Sequence, residues 1–265
     1  MQRRHPIGHL FWRSGVAAIS HLMMFTGLYP LVPHALRRTR PVKAAFAEWA
    51  AAMAVSVLRP VGFLPLPGAH GHGPRPVIVL HGYAMNRANF VALAYRLKRA
   101  GLGPVFGFEY WTLGRTGAAA RQLALFVDHV LAQTGARQVD IIGHSMGGIV
   151  ARYYVTLAGG DGKVANLITL GSPHYGTDVS KVGIGYAMRE LFVGSKMLQR
   201  MFAAPPPTRT HTTVIWSRAD ALVPAASQPH VPGADEIVYD DLGHVSLLAS
   251  KRVADEIISR LSSSS

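Results

Sequence analysis

In the stretch Val139-Asp140-Ile141-Ile142-Gly143-His144-Ser145-Met146-Gly147-Gly148, an apolar run rich in β-branched residues ends in Gly-x-Ser-x-Gly. An apolar helical pattern follows at once. Strand, tight turn and helix in that order put Ser145 at the apex of a sharp bend. Gly143 and Gly147 let strand and helix approach closely, while the serine takes a strained backbone conformation that aims its hydroxyl outward. The hydroxyl then faces the positive end of the following helix.

Working outward, continuous apolar runs at 76–80, 103–108, 138–142, 164–170, 212–217 and 236–239 alternate with helical patterns near 87–100, 115–134, 146–158 and 246–261. Apolar strands between amphipathic helices predict an α/β architecture: a mostly parallel sheet with helices on both faces. Ligands of such sheets bind at the carboxyl ends of the strands.

A serine used as a nucleophile needs a base to take its proton and a third group to orient that base. Asp220 lies on the loop after the strand 212–217, and His244 lies between the last strand and the last helix. Ser145, Asp220 and His244 therefore form a candidate triad in the order Ser, Asp, His. Asp178, Asp240 and Asp241 are the competing choices for the orienting acid. An oxyanion formed on a reacting carbonyl needs preset backbone donors. The amide of Met146 is one candidate. The amide of Tyr83, in the loop His81-Gly82-Tyr83 after the first strand, is the other.

Together, Leu80-His81-Gly82-Tyr83, Gly143-His144-Ser145-Met146-Gly147-Gly148, Gly171-Ser172-Pro173-His174-Tyr175-Gly176-Thr177, Asp220 and Gly243-His244 resemble the α/β-hydrolase superfamily. Within it, the chain is similar to bacterial triacylglycerol lipases and esterases from about Pro76 to Leu261. The resemblance implies the α/β-hydrolase fold, Ser145 as nucleophile, Asp220 as acid, His244 as base, and the Tyr83 and Met146 amides as oxyanion hole. It implies a carboxylic-ester hydrolase that works through an acyl-enzyme on acyl-ester or lipid substrates, with no cofactor. An acyltransferase or thioesterase on the same triad, and a hydrolase-fold membrane-bound binding protein without turnover, are the alternatives. Secreted lipases of this type often carry a disulfide or a calcium site; this chain has no Cys and no evident acidic ligand cluster.

Between the fourth and fifth strands, an insertion at about 178–207 carries Ile184, Tyr186, Met188, Leu191, Phe192, Met197, Leu198, Met201 and Phe202 at mostly helical spacing. Pro205-Pro206-Pro207 ends it. A methionine-rich apolar face adapts to varied acyl chains, which suggests a lid or an acyl-chain wall. His81, His144, Met188, Leu191 and Phe192 are the candidate substrate contacts.

The N-terminal residues 1–60 follow different rules. They hold eight Lys and Arg (Arg3, Arg4, Arg13, Arg37, Arg38, Arg40, Lys43, Arg59) against one acid, Glu48, so +7 of the formal +13 falls there. No charged residue occurs from Ser14 to Leu36, a length able to span a bilayer, although His21, Pro30, Pro33 and His34 disfavour a simple span. Ala44 to Leu58 reads as an amphipathic helix. This pattern predicts a helical, basic, membrane-associating extension, with a secreted or soluble location as the alternative. Residues 61–75 read as a Pro/Gly linker and 76–262 as the catalytic domain. The positive charge lacks the motifs of a nucleic-acid partner, and His70 and His72 read as solvated linker residues rather than metal ligands.

Overall fold

The computed structural model describes residue 62, residues 64–71, 73–225 and 231–263. The expectations for residues 1–60 and for His72 lie outside the described residues. Six strands, β1 (Val77–Leu80), β2 (Val105–Phe108), β3 (Val139–His144), β4 (Val164–Leu170), β5 (His211–Ser217) and β6 (Ala234–Tyr239), form one sheet in the order β2-β1-β3-β4-β5-β6. Every neighbouring pair is parallel. The helices are α1 (Val91–Arg99), α2 (Thr116–Thr134), α3 (Met146–Leu157), α4 (Tyr186–Glu190), α5 (Lys196–Ala203), α6 (Ser246–Ala249) and α7 (Lys251–Ser263).

The period-2 alternation of strand side chains sorts the core into two layers. Ile78, Leu80 and Ile141 face one cluster with residues of α2, α3, α4 and α5. Val77, Val79, Ile142, Ile168 and Ile215 face the other, with residues of α1, α6 and α7. Central strands buried on both faces read as unbroken apolar runs, which is why these strands were plain in the sequence.

Two expected helices are divided. Asn86 accepts the Ala88 amide and starts a short 3-10 turn at Arg87–Phe90, so α1 proper begins at Val91. Ser250, with ψ 125, separates α6 from α7. The described part of the Pro/Gly stretch packs on the sheet: Leu66 is buried, and the Gly68 carbonyl accepts the Val105 amide at 3.0 Å. Asp140, buried near the start of β3, accepts from Arg75 Nε at 3.1 Å and from Asn166 Nδ2 at 2.7 Å. Burial raises its pKa, and the Arg75 and Asn166 contacts oppose that rise.

Helix α3 fixes the geometry at the sheet's carboxyl edge. It is buried over most of its length and lies directly against β1. A Cβ on Gly147 would collide with the backbone carbonyls of Leu80 and His81. Gly147→Ala is therefore expected to force α3 away from the sheet and to cost about 1–3 kcal/mol or more. Urea unfolding of the variant against wild type measures this.

Candidate active site

The strand-end loops converge because the parallel ladder runs one step past the strands. The Ser145 amide donates to the Leu170 carbonyl at 2.8 Å, the Gly171 amide to Ile215, and the Arg218 amide to Tyr239. Ser145 itself has φ 56 and ψ −124, a left-handed backbone in a non-glycine residue, and it is half-buried. Strain of this kind is held by surrounding structure and collects at functional positions. Met146 is the first residue of α3, so its N–H has no preceding turn to bond and points out of the helix start.

Asp220 and His244 meet. His244 Nδ1 lies 2.7 Å from Asp220 Oδ2, with both residues buried. A carboxylate accepts, so Nδ1 carries the proton and Nε2 is left with its lone pair. The other carboxylate oxygen, Oδ1, accepts the amides of Leu222 at 2.9 Å and Val223 at 2.8 Å. The carboxylate is thus fixed from both ends. The competing acids sit elsewhere: Asp178 pairs with Lys181, Asp240 with Arg218, and Asp241 with Arg252.

Several residues that position this pair escaped the sequence reading. Ser217 Oγ accepts the amides of Ala219 and Leu242, each at 3.2 Å, and so ties the Asp220 loop to the His244 loop. A serine at a strand end carries no signal that would single it out. Gly171, φ 53, leaves no room for a side chain: a Cβ would stand 3.0 Å from Asp220 Oδ2 and 3.3 Å from His244 Nδ1. Thr177 Oγ1 donates to the Leu222 carbonyl at 2.7 Å. The segment Gly171–Thr177, noticed in the sequence only as a mark of resemblance, buttresses the acid from behind.

Two residues expected to touch substrate lie beneath the surface instead. His144 is fully buried and donates from Nε2 to the His244 carbonyl at 3.0 Å. Burial pushes its pKa well below the usual histidine value, the His244 charge adds to this, and it is neutral. His81 is buried and stacked on Tyr110, with Nδ1 2.9 Å from the Gly82 carbonyl and Nε2 3.2 Å from Glu109 Oε2. Both rings support the loops from within. Met188 and Leu191, also expected as substrate contacts, belong to the core cluster with α2 and α3. Their apolar stripe packs into the core. Phe192 is exposed, together with Ile184, Tyr186 and Val193.

Tyr83 supplies more than a backbone amide. Its hydroxyl donates to the Ile184 carbonyl at 2.9 Å and accepts the Ile184 amide at 3.2 Å, fastening the insertion to the loop after β1. Glu190 Oε2 accepts the Thr116 amide at 2.7 Å, at the positive end of α2, where a carboxylate is favoured. The insertion is tied down at both points. Among the described residues, no group of His, Asp or Glu could hold a metal ion, and no helix is long and apolar enough to cross a membrane.

A family model described as a PGAP1-like alpha/beta domain matches residues 119–188. The triacylglycerol lipase of Pseudarthrobacter phenanthrenivorans is 34% identical over 113 residues, covering 39% of this chain and 34% of that protein. That of Burkholderia plantarii is likewise 34% identical over 113 residues, covering 39% of this chain and 30% of that protein. The matched stretch thus spans about a third of the relatives' length. Among solved structures, the mature form of Bacillus licheniformis lipase BlEst2 superposes with a TM-score of 0.64 at 15% identity, over 72% of this chain and 94% of that one.

His174, like His144, is fully buried and held well below the usual histidine pKa, by burial first and by the Arg152 charge second. In the unfolded chain both titrate near pH 6.5. The unfolded state therefore binds more protons below that pH, and stability falls as pH decreases. Between pH 6.5 and 5, each histidine is expected to contribute up to about 1.4 kcal/mol per pH unit to that fall. Urea midpoints across this window, in wild type and in His174→Gln, measure the slope; the variant should lose about half of it.

Proposed function

We propose that this chain, which has the α/β-hydrolase fold and is similar to bacterial triacylglycerol lipases, is a serine carboxylic-ester hydrolase. The buried 2.7 Å contact between His244 Nδ1 and Asp220 Oδ2 carries the reading. It leaves His244 Nε2 as a base among the same strand-end loops that present Ser145. In the reaction, Nε2 takes the Ser145 hydroxyl proton as Oγ attacks the ester carbonyl. The Met146 and Tyr83 amides receive the oxyanion. Protonated His244 then gives its proton to the leaving alcohol, and the acyl group stays on Ser145. Water, deprotonated by His244, releases the carboxylic acid and restores the serine.

The substrate side of this proposal rests on the insertion. Ile184, Tyr186, Phe192 and Val193 offer exposed apolar surface there, and the Tyr83–Ile184 hydrogen bonds join that surface to the loop of the proposed oxyanion hole. We read it as a wall for the acyl chain, and the substrates as lipid or other acyl esters. Residues 1–60, with their +7 charge, are read as a membrane-associating segment that draws the enzyme to anionic lipid.

Hydrolysis of p-nitrophenyl esters from acetate to palmitate tests the chemistry. Ser145→Ala is expected to abolish turnover, and Asp220→Asn to lower kcat by about 10⁴-fold by favouring the wrong His244 tautomer. Because His244 must be neutral to act as base, the wild-type rate should decline below about pH 6–7; a rate flat to pH 4 contradicts the scheme. Phe192→Ser should depress long-chain rates more than short-chain ones, and equal losses would remove the acyl-wall reading. For the membrane, Arg37→Gln, Arg38→Gln and Arg40→Gln together should weaken binding to anionic vesicles by about fivefold per arginine, at roughly 1 kcal/mol each. Co-sedimentation of the full chain reads that loss.

A further inference from the structure

Among the described residues, Arg152 is a buried cation with no carboxylate paired to it. It lies on α3, six residues beyond Met146 and so about 9 Å along the helix axis from the nucleophile end. The residue is 4% exposed. It donates from Nη1 to His174 Nδ1, at 3.5 Å, and His174 Nε2 is 3.0 Å from Thr169 Oγ1. An arginine nitrogen only donates, so His174 accepts through Nδ1 and carries its own proton on Nε2. The imidazole is therefore neutral. On another side, the Phe202 ring centroid is 4.2 Å from the guanidinium carbon. Among the described residues, no Asp or Glu pairs with Arg152.

Desolvation, the main influence, lowers the Arg152 pKa to about 10, so the group remains charged at neutral pH. Charged groups out of water are ordinarily paired, and here a ring face, a neutral imidazole and the neighbouring Tyr175 are what the described protein supplies. Arg152 also lines a recess open to solvent, shared with Thr212, Met201, Phe202, Pro205 and Pro206; its enclosed part is about 20 Å³, and the whole space including the open side is about 360 Å³. The walls are chiefly apolar. One guanidinium suits a single carboxylate, to which it can donate two parallel hydrogen bonds. A multiply charged phosphate would need more donors than this recess offers.

We propose that the Arg152 recess binds an organic monocarboxylate, its headgroup on Arg152 and its apolar tail along Met201, Phe202 and the Pro205–Pro206 wall. The site is separate from the Ser145 loops, and the inference stands without the ester-hydrolase reading. Where that reading also holds, the ligand belongs to the chemical class that ester hydrolysis releases. The recess is linked to the acid loop through the segment that carries His174 beside Arg152, Gly171 against Asp220, and Thr177 on the Leu222 carbonyl.

The test is a titration of the full-length ¹⁵N-labelled chain with octanoate, followed by the backbone amides of Thr156, Phe202 and Thr212, with inorganic phosphate and acetate as parallel probes. Saturable shifts at these amides with octanoate are expected, with binding at least tenfold weaker for phosphate and acetate. Arg152→Met should weaken octanoate binding at least tenfold, and so should Ala204→Trp, which fills the recess without altering the cation. If Arg152→Met fails to fold, Ala204→Trp alone decides. Unmoved amides in wild type, undiminished binding in the variants, or phosphate matching octanoate overturns the proposal. Since the readout is local to the recess, an absence of ester turnover leaves it intact.

Discussion

The α3 backbone lies against the carbonyls of Leu80 and His81, an approach open only to a residue without a side chain at position 147. That contact sets where α3 begins, and with it the backbone conformation of Ser145 and the direction of the Met146 amide. It also sets where His144 is buried. The imidazole fills the space behind the bend and reaches the His244 carbonyl. One steric condition at the start of a helix thereby positions groups from three loops. Were α3 to lift, the serine, the amide beside it and the support under His244 would shift together.

The sequence revealed the sheet because central parallel strands must be apolar on both faces, and such runs are hard to mistake once helices separate them. Ser145, Asp220 and His244 could be picked out for a related reason: each follows a recognisable strand at its carboxyl end. Which acid reaches His244 was open, since Asp240 and Asp241 are closer to it in the chain. The fold answers through register. β5 lies beside β4 and β6, so the loop after β5 meets the loop after β6, while Asp240 and Asp241 turn outward to Arg218 and Arg252.

What was not legible depends on contacts between distant residues. Nothing local distinguishes Ser217 from any other serine, or Arg152 from a surface arginine on an amphipathic helix. The Tyr83 hydroxyl finds its partner 101 residues away. The apolar stripe of the insertion was legible as a stripe, but its destination was not. Periodicity tells which side chains share a face, whereas what covers that face is decided by packing. Met188 and Leu191 went to the core, and Phe192 to the surface.

The insertion between β4 and β5 leaves and rejoins the sheet at tightly held points. Its first end is clamped where Thr177 Oγ1 donates to the Leu222 carbonyl, and its last is pinned where Thr208, Arg209 and Thr210 donate to Asp161. Neither clamp uses a side chain from the middle of the insertion. The segment is in effect a cassette: its length and sequence can drift, provided the replacement brings an apolar underside to close the core. The framework that orients Asp220 and His244 need not change with it. The surface of the insertion and the geometry of the Asp220–His244 pair can in that way vary separately in one chain.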